Sequence, residues 1–239
     1  MSLASSSRRP SRASLVCCLA LALLAWTGEA RAEAARASIP ASGHISWAQV
    51  AVRATPSRTA PRVTVLTQFR ADFRPRVVLA IGIRRDAEGR PAWYRLSLPG
   101  RPNGRTGWVP AASVELKPVQ KEIVIDRSDR TLELRDAGRV VLRTRVAVGA
   151  YGMETPLGRF YVVAKFRPTA PILGAFAFET SAYSKLSDWP GGGIVGIHGT
   201  NTPSLLGQAV SHGCVRVANE AILRLSKLVP VGTPIRIVA

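Results

Sequence analysis

The sequence is poor in cysteine, histidine, lysine and acid, and each shortage excludes something. Its 239 residues hold three cysteines and three histidines, and 33 lysines and arginines outweigh 15 acidic residues to give a formal charge of +18. There is no C-x-x-C pair and no H-E-x-x-H, so the common zinc spacings are missing. The apolar run from Leu15 to Trp26 is about twelve residues, short of the roughly 20 that a membrane-crossing helix needs. Aromatic residues are 6% of the chain and do not interleave with basic clusters, which argues against a stacking platform for single-stranded nucleic acid. Lysine occurs only at 117, 121, 165, 185 and 227, so the positive charge is nearly all arginine. Such a balance favours anionic surroundings, and outside a membrane these are wall polymers or lipid headgroups, with no nucleic acid expected.

What is present begins with Arg8, Arg9 and Arg12, the apolar run, and Ala30-Arg31-Ala32. This order predicts a signal peptide over residues 1–32, cleaved after Ala32, and an exported protein of the cell wall or periplasm. Pro10, Ser11 and Arg12 follow the arginine pair where a twin-arginine signal wants a bulky apolar residue, so the export route stays open. Cys17 sits inside the apolar run instead of ending it, which speaks against lipidation. Cleavage removes Cys17 and Cys18 and leaves Cys214 alone. One cysteine forms no internal disulfide, and a leftover thiol in an oxidising compartment calls for a reason. Burial as a small hydrophobe is one. The flanking Ser211, His212, Gly213 and Arg216 point to another.

Residues 33–44, rich in Ala, Ser and Pro, read as a linker. From 45 to 117, short β-type runs such as "VTVL", "VVLAIGI" and "WYRLSL" alternate with Pro, Gly and Asp punctuation, which predicts a small all-β module, with Trp108 either a ligand platform or, the favoured reading, part of its core. A second β-rich domain covers 121–239, with a hairpin at Asp136-Ala137-Gly138. Near its end "NEAILRLSKLV" reads as a helix capped by Asn219, with Ile222, Leu225 and either Leu228 or Val229 facing inward. The expected class is mostly β with minor helix.

The chemistry-bearing stretch is "IHGTNTPSLLGQAVSHGCVRV", Ile197 to Val217. "GGIVGIHG" reads as a strand ending at His198, and a short helical turn near Pro203 precedes the return at "SHGCVRV". Only that return can bring imidazole to sulfur, as a thiol nucleophile requires. Gly213 permits a tight backbone approach in which amides near Cys214 face a developing oxyanion. No acid lies between Gly191 and Asn219, so either Asp188, a remote carboxylate or a backbone carbonyl such as that of Gly199 would orient the histidine. Two histidines and a cysteine also satisfy a three-ligand zinc site, against which stands the absence of a nearby carboxylate to orient a histidine ligand. His44 stands apart as a surface residue.

The stretch "HGTNTPSLLGQAVSHGCVRV", with "ETPLGRFYV" upstream, resembles the signature of the YkuD-type L,D-transpeptidases, over Lys121 to Val238. "WYRLSLPGRPNGRTGWVPAASVEL", with "VAVRATPS" upstream, resembles the bacterial Src-homology-three-like barrel found beside wall enzymes, on Trp93, Tyr94, Gly107 and Trp108. The first resemblance implies a β-sandwich catalytic domain acting on peptidoglycan stem peptides, with Cys214 as nucleophile, His198 as proton donor and acceptor, and no metal or cofactor. Ser211, His212, Gly213 and Arg216 fall on the remaining motif positions, Arg216 as a substrate contact. Some relatives replace the second histidine by lysine, which favours His198 over His212 as the base. Water as acceptor would make the protein an L,D-carboxypeptidase and a protein amine would make it a wall-anchoring transferase. A degenerate site would leave a wall-binding protein without catalysis.

Overall fold

The computed structural model describes residues 38–188 and 192–239. The predicted signal peptide lies outside the described residues. The amino-terminal half forms β1 (Ala41–Ile45), β2 (Gln49–Arg53), β3 (Arg62–Thr67), β4 (Val77–Arg85), β5 (Pro91–Ser97), β6 (Thr106–Pro110) and β7 (Val114–Pro118). They make one antiparallel sheet in the order β3-β2-β6-β5-β4-β1-β7. Period-two alternation sends Val50, Val52, Leu96 and Val109 to one face, where they form the core of this module.

Two expectations fail here. The sheet starts within the stretch read as linker, because Ala41 and Ile45 are both buried and β1 pairs with β4 and β7. Ser42 and Gly43 between them carry no β-type signal, which hid the strand. Trp108 is half-buried and outside the core, since alternation along β6 gives the inward positions to Gly107 and Val109. Its bulk suggested packing, but its place in the pleat decides its face.

The second domain contains β8 (Lys121–Asp126), β9 (Thr131–Asp136), β10 (Arg139–Gly149), β11 (Gly158–Phe166), β12 (Ala177–Tyr183), β13 (Ile194–His198), β14 (Ala209–Ser211), β15 (Val215–Val217), α1 (Asn219–Leu228) and β16 (Pro234–Val238). The ladder runs β14-β10-β15-β13-β12-β11-β16-β8-β9, and β9 pairs again with β10. Eight strands therefore close into a mixed barrel, with β14 as a branch, so the two layers of a sandwich are joined along both edges. The β9–β10 turn is the expected hairpin, with Ala137 and Gly138 both at positive φ, 46° and 82°.

The interior is aliphatic, and α1 contributes Ile222 and Leu225, both fully buried, to the cluster that holds Phe178, Ile197 and Val217. Each such side chain is worth roughly 1.5–3 kcal/mol of burial. Helical periodicity also settles the inward residue at the end of the helix: Val229 is buried and Leu228 exposed.

The two halves touch. Val77 and Leu79 of β4 form a small apolar cluster with Tyr161 of β11. Beside it, the Arg70 guanidinium donates two parallel hydrogen bonds to Glu179 of β12, at 2.9 and 2.8 Å. Planar fork-to-carboxylate geometry of this kind adds direction as well as charge.

Candidate active site

β13 and β15 run parallel, with Ile197 opposite Val215 and His198 opposite Arg216. This pairing places the end of the histidine strand beside the start of the strand that follows Cys214. The turn from His212 to Cys214 links β14 to β15, and Gly213 holds φ at 115°, a conformation L side chains rarely adopt. The turn is tied down from within: Ser211 Oγ donates to the Cys214 carbonyl at 2.5 Å and accepts from the Gly213 N–H at 3.2 Å.

Cys214 is half-buried, and its sulfur accepts the Gly196 N–H at 3.3 Å. A Cβ built on Gly196 would stand 3.6 Å from His198 Cδ2 and 3.9 Å from Cys214 Sγ. The sulfur and the Cδ2 edge of the imidazole thus share the space over one glycine. On the far side of the ring, Nδ1 lies 2.6 Å from the Gly199 carbonyl oxygen. A carbonyl only accepts, so Nδ1 carries the hydrogen and, in the neutral ring, Nε2 is left with a lone pair. Asp188 is exposed and makes no such contact.

Burial sets the charge states. It lowers the pKa of His198, against opposing hydrogen bonds to the backbone of Gly199 and Leu173, and the Arg216 charge lowers it further. Burial likewise pushes the Cys214 thiol up, while the Gly196 amide and Arg216 pull the other way. At neutral pH the pair rests as thiol and neutral imidazole, not as an ion pair. Arg216 projects from β15 with its Nε buried and without a hydrogen-bond partner among the described residues. His212 is exposed. Among the described residues, no three His, Cys, Asp or Glu side chains are grouped to hold a metal ion.

Three supporting residues went unassigned in the sequence. Thr155, from the quoted "ETPLGRFYV", is fully buried and bridges the Cys214 turn to β10: its hydroxyl accepts the Gly149 N–H at 2.9 Å and donates to the Gly213 carbonyl at 2.9 Å. Gly196 had no signal beyond its place in a strand. Asn219 was expected to cap α1, but Ala218 occupies that position with no side-chain cap, and Asn219 is the first helical residue. Its amide instead accepts from Ala175 N at 2.9 Å and Thr200 N at 3.2 Å and donates to the Thr200 carbonyl at 3.0 Å. A Cβ on Gly199 would lie 2.2 Å from Asn219 Oδ1, so only glycine lets this stitch close behind the histidine.

Thr155→Val keeps the shape and removes both bonds, leaving a buried N–H and a buried C=O unpaired. The expected loss is about 1–3 kcal/mol of stability by urea denaturation. An unchanged midpoint would mean that neither bond supports the turn.

The fold and site define a closed, mixed β-barrel with a cysteine and a histidine brought together by two parallel strands. Residues 120–237 match the family described as YkuD, L,D-transpeptidase catalytic domain, and this part of the chain is a domain of that family, which acts on the cell wall and takes peptidoglycan as its substrate. The chain is 29% identical over 173 residues to a Bacillus subtilis protein named "Putative L,D-transpeptidase YkuD", covering 72% of this chain and 92% of that one. A Bacillus licheniformis protein of the same name is 36% identical over 115 residues, which cover 48% of this chain and 64% of the relative. Among solved structures, an L,D-transpeptidase from Mycobacterium smegmatis aligns with a TM-score of 0.45 and 18% identity, over 69% of this chain and 91% of that one. No helix among the described residues is long and apolar enough to cross a membrane.

Proposed function

We propose that the protein is an exported peptidoglycan L,D-transpeptidase with Cys214 as nucleophile and His198 as proton carrier. The observation that carries this reading is the shared space over Gly196, with the sulfur on one side and the Cδ2 edge of a ring fixed by Gly199 on the other. Nε2 takes the thiol proton as sulfur attacks the carbonyl of the third, diamino residue of a donor tetrapeptide. Backbone amides around Gly213 and Cys214 receive the oxyanion. The intermediate collapses with cleavage of the C–N bond, His198 returns the proton to the departing nitrogen, and D-alanine leaves a thioester on Cys214. The side-chain amine of a neighbouring stem then attacks, giving its proton to His198, and the thiolate is expelled and reprotonated. The Arg216 guanidinium, with its buried Nε–H open, faces the acyl donor as a substrate contact. The amino-terminal module holds the wall polymer.

Mass spectrometry of a disaccharide tetrapeptide incubated with the protein tests the reading. A dimer lighter than two substrates by one D-alanine, and joined through one new amide, is the expected product. Tripeptide alone would make the enzyme an L,D-carboxypeptidase, and an unreacted substrate would remove the transpeptidase assignment.

A further inference from the structure

The β5–β6 loop of the amino-terminal module reaches across to the catalytic domain and grips one segment of it. Arg101 Nη2 donates to the carbonyls of Ser184 at 3.0 Å and Leu186 at 2.8 Å, and Nη1 donates to that of Gly192 at 3.0 Å. The same guanidinium lies 4.9 Å over the Tyr183 ring. Two residues on, Asn103 donates to the Tyr183 carbonyl at 2.7 Å and accepts from the Tyr183 N–H at 3.0 Å, pairing with that backbone as a neighbouring strand would. Three hydrogen bonds from Arg101 thus end on the connection between β12 and β13, and two from Asn103 end on the last residue of β12.

That connection leads straight into the site. Ser184 N donates to the Gly193 carbonyl at 2.9 Å, which closes the base of the loop just before β13 begins. Gly193 has φ of 73°, and a Cβ there would fall 1.8 Å from the Leu186 oxygen and 2.5 Å from Arg101 Nη2, so the guanidinium and the chain reversal are fitted to each other. From the same end of β12, Ser184 packs behind the nucleophile turn: a Cβ on Gly213 would lie 2.8 Å from Ser184 Cβ. Farther along β12, Glu179, held by Arg70, stands opposite Gly196, whose amide meets the Cys214 sulfur.

We infer that Arg101 and Asn103 are positioning residues for the reaction at Cys214, so that the amino-terminal module is a structural part of the active site and not only a tether. The inference rests on the transpeptidase reading for its kinetic consequence, while the clamp itself stands on the geometry alone. Its physical content is that backbone freedom in the β12–β13 connection becomes displacement of Gly196, His198 and Gly213 together. Displacements near 1 Å cost reactions of this kind about a hundredfold.

The experiment uses the full chain with Arg101→Ala, Arg101→Lys and Asn103→Ala. Hydrogen exchange is followed by mass spectrometry over 183–188 and 194–198, and donor-stem kinetics are measured with the same samples. Each variant is expected to exchange faster in both segments and to lose kcat by about tenfold to a hundredfold, with KM within about twofold of wild type. Arg101→Lys should behave like Arg101→Ala, since an ammonium keeps the charge but cannot span three carbonyls. Faster exchange with wild-type kcat would overturn the inference, as would unaltered exchange at Tyr183 and Ser184. If the Arg101 variants unfold, Asn103→Ala decides alone. A wild-type protein that forms no thioester would refute the transpeptidase reading, and the exchange data would still report on the clamp.

Discussion

Cys214→Ala is expected to abolish thioester formation and cross-linking while the protein folds and binds wall polymer as before. The sulfur is the atom to which the proposed mechanism attaches the acyl group, and it accepts the Gly196 N–H. Removing it therefore deletes the reaction and disturbs little else. Intact-protein mass spectrometry after exposure to a carbapenem, which the family resemblance marks as an acylating agent, reads the outcome directly: an adduct on wild type and none on the variant. An adduct on Cys214→Ala, or dimer formation by it, would end the thiol mechanism.

The second large effect belongs to His198, and it shows best as a pH profile. The imidazole pKa lies below its ordinary value and that of the thiol above its own, so the neutral pair persists across the neutral range. Acylation by wild type should rise as His198 loses its proton, below the usual histidine value of about 6.5, and then stay level through neutral pH. In His198→Ala no base remains, and only the thiolate attacks. Its rate should be lower by about 10²–10⁴ at neutral pH and climb about tenfold per pH unit toward the raised thiol pKa. A level profile in His198→Ala, at near the wild-type rate, would move the base to His212. His212→Lys, altering an exposed side chain, should retain measurable acylation.

Local patterns carried much of this molecule into view. The strand ending at His198, the turn near Pro203, the hairpin at Ala137–Gly138 and the inward face of α1 all follow from signals contained within a few residues. Non-local partners did not. Asn219 has the side chain of a helix cap, yet its partners are Ala175 and Thr200, 44 and 19 residues away, and no capping preference encodes them. Ring closure through β9 and β10 likewise depends on which strands become neighbours, a matter of the whole ladder. Arg101 and Asn103 stand in "PGRPNGR", and nothing local marks them, because the backbone they grip lies 80 or more positions later. Trp108 shows the reverse error, where a residue's size was weighed above its place in the pleat.

The parallel pairing of β13 with β15 has a further consequence for how the motif tolerates change. Sixteen positions separate His198 from Cys214 along the chain, but contour length is not what sets their separation in space. The ladder fixes one end, at Ile197–Val215 and His198–Arg216, and Asn219 fixes Thr200. The chain is caught again at Gly207, whose N–H donates to the Val146 carbonyl at 2.9 Å. Between these moorings Asn201 to Ser204 are all exposed. That stretch is slack rope: residues added or removed there at the surface leave His198 and Cys214 where the moorings hold them.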